Sequence, residues 1–251
     1  MSAAGEEAGE VFVVPQESAR VAIVAALPRE IAGLARGMRA DAALAKRGIR
    51  LYRIPGAVVV AAGMGAVRAT LAVEAALAAE RSVAMLVSVG FAGACAPGLR
   101  AGSVLEASVV VDTRTGERFE SAAERGGEER KVTLATIGSV ASVREKRRLF
   151  ETYGASMVDM EAATIARLAR ARGLGFRAIK GISDAHDFEL ETLAAFAGKK
   201  GQFRTAAFAV HAALRPARWA RTMKLGRDSA AALRTLEQTL RRVVDSSAGD
   251  E

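Results

Sequence analysis

The sequence predicts an α/β protein, a three-layer α/β/α sandwich around a central mixed, largely parallel sheet. Two observations lead there. Short continuous apolar runs of the kind buried on both faces of a sheet alternate with stretches of helical periodicity. The strongest of these runs also end in glycine-, proline- or acid-bearing turns, at the carboxyl ends where an open α/β sheet keeps its ligand site. The 251 residues are 51% hydrophobic, enough to bury one sizeable core in one domain. Aromatic content is only 5%, so that core is expected to consist of Ala, Val, Leu and Ile.

The first apolar run, residues 21–26, reads as a buried strand, and Pro28 then suits the first turn of a helix over 29–38. Residues 58–62 form the next strand, ended by Gly63-Met64-Gly65 and followed by a helix over 68–80. A strand at 84–89 is expected to end in the glycine-bearing loop Gly90-Phe91-Ala92-Gly93. Residues 103–111 read as one strand, and 114–131, rich in charge and glycine, as a mobile connection. A strand at 132–136, helices at 143–153 and 160–172, and a strand at 176–182 complete the alternation. The remainder reads as helical, with a break near Arg215-Pro216, where proline opens the last helix. The expected organisation is a disordered tail at 1–18, a catalytic domain at 19–215 and a basic C-terminal helix at 216–251 packed on that domain.

Net charge is +8, and its distribution narrows its meaning. Residues 199–244 carry 11 Lys and Arg against Asp228 and Glu237, a net of +9, which leaves the rest of the chain at −1. There Trp219, Met223, Leu233, Leu236, Leu240 and Val244 recur at helical spacing, with Arg218, Arg221, Arg227, Arg234 and Arg241 on other faces. The plain reading is a solvated helix on the domain edge; the sharper one is peripheral contact with anionic lipid. Nucleic acid is not expected, because no binding motif or interleaved aromatics accompany the charge. The acidic first ten residues do not resemble a signal peptide, and no uncharged stretch is long enough to cross a bilayer. The one cysteine, Cys95, reads as a small buried apolar residue and fits a reducing cytoplasm.

Gly63-Met64-Gly65-Ala66-Val67-Arg68-Ala69 follows a strand and opens a helix, as a dinucleotide fingerprint does. The following strand ends in Ser88-Val89-Gly90, without the acid that would hold a ribose hydroxyl, so no cofactor is expected. Gly63 and Gly65 are read instead as permitting close backbone approach. Glu30 and Asp184 each have a structural explanation, as a first-turn acid and as a cap. Their placement beside two glycine segments and the helix start Val158-Asp159-Met160-Glu161 favours chemistry.

The series Ala25-Ala26-Leu27-Pro28-Arg29-Glu30, Gly63-Met64-Gly65-Ala66-Val67, Gly90-Phe91-Ala92-Gly93, Val158-Asp159-Met160-Glu161-Ala162 and Ile182-Ser183-Asp184 resembles the nucleoside phosphorylase and nucleosidase superfamily. Within it the methylthioadenosine/S-adenosylhomocysteine nucleosidases and the hopanoid-associated phosphorylases are the most similar. The resemblance implies a homo-oligomer, in the simplest case a homodimer, that cleaves the N-glycosidic bond of a purine nucleoside without a metal. It implies that Asp184 protonates the leaving purine, that Glu30 activates the attacking water, and that Met160 and Glu161 lie under the ribose. Gly90, Phe91, Ala92, Gly63 and Ser183 would then line the substrate site.

The pattern also departs from that family. Ser88 and Phe91 stand where phosphorylases hold phosphate, leaving Arg68 as the candidate phosphate cation; Lys180 stands where nucleosidases carry arginine. The segment 112–139 is short and lacks their base-stacking phenylalanine. That short form, with Lys146, Tyr153-Gly154-Ala155, Asp159 and Arg215-Pro216, resembles the hopanoid-associated branch. The expectation is hydrolytic release of adenine from a 5′-substituted adenosine; the alternatives are phosphorolysis of an adenosyl lipid and nucleoside binding without catalysis.

Overall fold

The computed structural model describes residues 20–122, 131–189 and 219–248. Ten strands form one sheet: β1 (Arg20–Ala25), β2 (Arg50–Ile54), β3 (Ala57–Ala61), β4 (Val83–Ala94), β5 (Val104–Glu106), β6 (Val109–Asp112), β7 (Arg118–Glu120), β8 (Thr133–Thr136), β9 (Met157–Asp159) and β10 (Gly175–Asp184). Among the described residues the helices are α1 (Pro28–Ile31), α2 (Ala42–Lys46), α3 (Ala66–Ala79), α4 (Val143–Tyr153), α5 (Ala162–Ala171) and α6 (Trp219–Ala248). The path through the sheet is β2-β3-β1-β4-β9-β8-β6-β7, with β10 on β4 and β5 on β10. Pairing is parallel for β1 with β3 and β4, β10 with β4, and β8 with β6 and β9, and antiparallel elsewhere. The mixed α/β sandwich is therefore as the sequence predicts.

Period-two alternation divides the core between the two faces of the sheet. Ala22 and Val24 of β1 join a cluster with Ala69, Ala72, Val73 and Ala76 of α3 and Ile165 and Ala169 of α5. Val21, Ile23 and Ala25 face the other way, onto Ile31, Leu236, Leu240 and Val243. The apolar face of α6 is thus part of the central core rather than an appendage on its edge. Gly181 of β10 lets α6 approach closely: a Cβ there would lie 3.1 Å from Ala232 Cβ.

β4 is the organising strand, and here the structure corrects the sequence reading. Gly90-Phe91-Ala92-Gly93 is not a loop but the second half of a 12-residue strand. β1 leaves β4 after the Val24–Ser88 pair, and β9 pairs antiparallel with it at Gly93 and Ala94, while β10 follows β4 throughout. Gly90, at φ 129°, is held in the ladder by β10 alone through Lys180, whereas Gly93 pairs with β10 on one side and β9 on the other. The expected strand at 103–111 is two, β5 and β6, pairing with different neighbours. Within 114–131, Arg118–Glu120 forms β7, closing on β6 through buried Phe119. The first helix is a single four-residue turn, Pro28–Ile31, rather than a helix to residue 38. β2 joins β3 through Pro55-Gly56, with Gly56 at φ 71°. The tail at 1–18 and the expected break at Arg215-Pro216 lie outside the described residues.

Candidate active site

Glu30 is placed by the shortest helix among the described residues. Pro28 opens α1, and the Glu30 carboxylate turns back to accept the Leu27 and Ala26 N–H groups at 2.8 and 3.1 Å. Its second oxygen accepts the Phe91 N–H at 3.2 Å, tying α1 to β4. Arg29 lies over the Phe91 ring, 5.1 Å from its centroid. Burial raises the Glu30 carboxyl above its ordinary value, against the backbone donors and the charges of Lys180 and Arg29. Gly90 is needed beneath it: its φ is 129°, and a Cβ would sit 2.8 Å from Glu30 Oε2.

Glu161 lies between β9 and α5 and accepts the Gly65 N–H at 2.6 Å. Met160, half-buried, precedes it. Burial first, and then the negative charge of Asp159, push the Glu161 carboxyl up to about 7. Asp159 is fully engaged: it accepts from Thr136 Oγ1 at 2.7 Å, caps α5 through the Ala162 N–H at 2.9 Å and pairs with Lys180 at 3.0 Å. Lys180, 1% exposed, also donates to Ser88 Oγ at 2.9 Å. Lys180 thus spans Asp159 and Ser88, while Glu161 keeps its own contact with Gly65.

Asp184 ends β10, 2% exposed. One oxygen takes the Ser183 hydroxyl and the other the ammonium of Lys146, which is buried on α4. Burial raises the Asp184 carboxyl, opposed by Lys146 and Ser183. Ser183 Oγ also lies 3.2 Å from Ala92 O. A Cβ on Gly93 would lie 3.2 Å from Asp184 Oδ2, so glycine makes room for this pair as Gly90 does for Glu30. Along β4 the two glycines are three residues apart, roughly 10 Å at the strand rise.

β4 therefore carries Glu30 near one point and Asp184 near another, with Glu161 reached through Gly65. Gly63 supports the same turn, at φ 117° with its N–H donated to Ala26 O at 2.8 Å. Arg68 stands half-buried in the first turn of α3, just beyond Gly65. A groove of about 430 Å³ elsewhere on the surface, bounded by Arg118, Phe119, Arg170 and Phe176, is touched by none of these acids. We place the site by the convergence of buried carboxylates rather than by that groove. Among the described residues no group of three or more His, Cys, Asp or Glu side chains is arranged to hold a metal ion.

Residues 117–215 match the family model of the phosphorylase superfamily. The chain carries that superfamily's fold. A methylthioadenosine/S-adenosylhomocysteine nucleosidase superposes with a TM-score of 0.68 at 16% identity, over 92% of this chain and 97% of its own. The methylthioadenosine nucleosidase of Arabidopsis thaliana gives 0.66 at 18% identity, over 93% and 97%. The futalosine hydrolase of Helicobacter pylori gives 0.60 at 17%, over 90% and 98%. No curated protein sequence matches the chain.

Glu30 and Gly63 stand beyond the carboxyl ends of β1 and β3, Phe91 within the second half of β4, Asp184 at the end of β10 and Glu161 at the start of α5. Sequence reasoning assigned no chemistry to Lys146 or Lys180, although each meets a buried carboxylate. Lys146 falls on the buried face of α4 beside Leu149, a position where lysine is out of register with its neighbours, and that was the available signal. Cys95 is buried, and its thiol is pushed up to about 12, as the apolar reading requires.

Proposed function

We propose that this protein cleaves the N-glycosidic bond of a purine nucleoside, and that it does so by hydrolysis, releasing adenine from a 5′-substituted adenosine. The observation that carries the reading is that Glu30 and Asp184 lie against β4 at Gly90 and Gly93 and Glu161 against the turn after β3 at Gly65, each buried and each with a raised carboxyl. The activities of the similar structures, methylthioadenosine and S-adenosylhomocysteine nucleosidases and a futalosine hydrolase, support the same bond type.

Each acid suits one part of that reaction. Asp184, held by Ser183 and Lys146, delivers a proton to the departing purine. Glu30 keeps its carboxylate oriented by three backbone N–H groups, and its burial makes it a stronger base toward the attacking water. Glu161 accepts from the ribose hydroxyls and sets negative charge beneath the developing ribosyl cation. Met160 supplies an adaptable apolar floor. Lys180 already serves Asp159 and Ser88, so it is not spare to hold a phosphate, which favours water as the nucleophile.

The test is chromatographic detection of free base from methylthioadenosine, S-adenosylhomocysteine, adenosine and inosine, with and without phosphate. Adenine released without phosphate supports the reading. Release only with phosphate replaces hydrolysis by phosphorolysis and directs attention to Arg68, and release from none of the four overturns the reading. Asp184→Asn should lower kcat by a factor on the order of 100 or more while the protein still folds.

A further inference from the structure

The roles above leave Lys146 without chemistry of its own, although its side chain and that of Asp184 are each only 1% exposed. Its Nζ meets three acceptors: Asp184 Oδ2, and the Ala185 and Phe188 carbonyls, both at 3.0 Å. As an ammonium it donates one N–H to each. As a neutral amine it donates two N–H to the carbonyls, while its lone pair accepts the O–H of a neutral Asp184. The proton can therefore lie on either partner without loss of a hydrogen bond, in a place where both side chains are shut off from water. The groups facing the pair do not compete for that proton. Ser183 donates to the other Asp184 oxygen, Cys95 beside β4 is a neutral thiol, and Glu145 on α4 turns to Arg148 at 2.5 Å.

We propose that Lys146 is the proton store for the leaving base and acts through Asp184. The inference rests on the purine-nucleoside reading above. As the C–N bond breaks, its electron pair goes to the purine. A proton passes from Asp184 to the purine nitrogen and is supplied by the Lys146 ammonium, which becomes a neutral amine as Asp184 ends as a carboxylate. Water adds to the sugar carbon, Glu30 takes its proton, and that proton restores Lys146 on product release. The sum is nucleoside plus water giving sugar plus base. Lys146 is a positioning residue in this scheme, since it does not touch the substrate.

The experiment compares wild type, Lys146→Arg and Lys146→Met on whichever purine nucleoside the wild type cleaves, and on 4-nitrophenyl riboside, whose leaving group departs without an acid. Arginine keeps the charge but cannot release its proton. Lys146→Arg should therefore lose on the order of 100-fold in kcat on the purine nucleoside yet keep about the wild-type rate on the nitrophenyl riboside. Lys146→Met leaves Asp184 as a lone buried acid, so the alkaline limb of kcat on the purine should move to lower pH. Wild-type purine cleavage by Lys146→Arg, or an unmoved alkaline limb in Lys146→Met, overturns the proposal. If melting shows that one variant does not fold, the other decides. A wild type that cleaves no purine nucleoside refutes the reading of function itself, whereas active variants indistinguishable from an active wild type refute only the role of Lys146.

Discussion

The Gly65 N–H donates to Glu161 Oε1 at 2.6 Å, joining the turn after β3 to the start of α5 across 96 residues of chain. The bond orients a carboxylate whose ionisation the fold resists. Glu161 is buried beside Asp159, and only Lys180 and this N–H favour its charged form. The chemistry of the site and the stability of the fold therefore meet at one residue.

Glu161 should make stability depend on pH between its ordinary value of 4.5 and about 7. The folded chain binds this proton more tightly than the unfolded chain. Its contribution is thus fully present below 4.5 and is lost as pH rises through about 7. The interval from 4.5 to about 7 corresponds to roughly 3 kcal/mol. Glu161→Gln removes that loss and should melt progressively higher than wild type as pH goes from 5 to 8. Equal differences at the two pH values would place Glu161 in solvent.

Lys180 neutralises Asp159 in a region that also holds Glu161 and Glu30. Lys180→Met should cost about 3–5 kcal/mol by leaving a buried carboxylate without its partner. Pairing it with Asp159→Asn should recover a substantial part. Urea unfolding of the four proteins in the cycle measures the coupling, and additive effects would contradict it.

Gly90→Ala should lose activity by a larger factor than its effect on folding suggests. The new methyl meets the Glu30 carboxylate at 2.8 Å, and φ 129° is strained for any L side chain, at about 1–3 kcal/mol. The base is displaced before the fold fails. Steady-state kinetics alongside thermal melts separate the two effects.

Leu236 of α6 is fully buried against the core face formed by β1, β3 and Ile31. Leu236→Ala should destabilise the whole domain by about 2–5 kcal/mol in a single transition. A separate early transition, with the rest of the domain unaffected, would make α6 an independent unit. Chemical denaturation followed by circular dichroism makes the distinction.

Much of the architecture was legible because it is written locally. Runs such as residues 21–26 and 58–62 are buried on both faces and show unbroken apolar character, and α4 begins and ends at Ser142 and Gly154, a cap and a left-handed stop. β2 was also readable in principle, since Pro55-Gly56 separates two short runs by a two-residue turn. β7 was not, because three residues around one buried phenylalanine acquire strand character only by pairing with β6. The extension of β4 through two glycines failed for the same reason: glycine reads as a break until neighbouring strands hold it in the ladder, β10 at Gly90 and both β10 and β9 at Gly93.

The candidate acids Glu30, Glu161 and Asp184 could be named from sequence because each follows a strand or opens a helix, and the turn chemistry there is local. What the sequence by itself determined was thus the alternation of elements, the class of fold and the positions where acids leave the sheet. The tertiary structure alone decided which cations meet those acids. Lys146 and Lys180 look like ordinary surface letters until folding buries them at 1% exposure, and Lys146 meets Asp184 across 38 residues of chain. A local pattern encodes dihedral preference and periodicity, but the energy of a buried charge depends on what long-range packing places beside it.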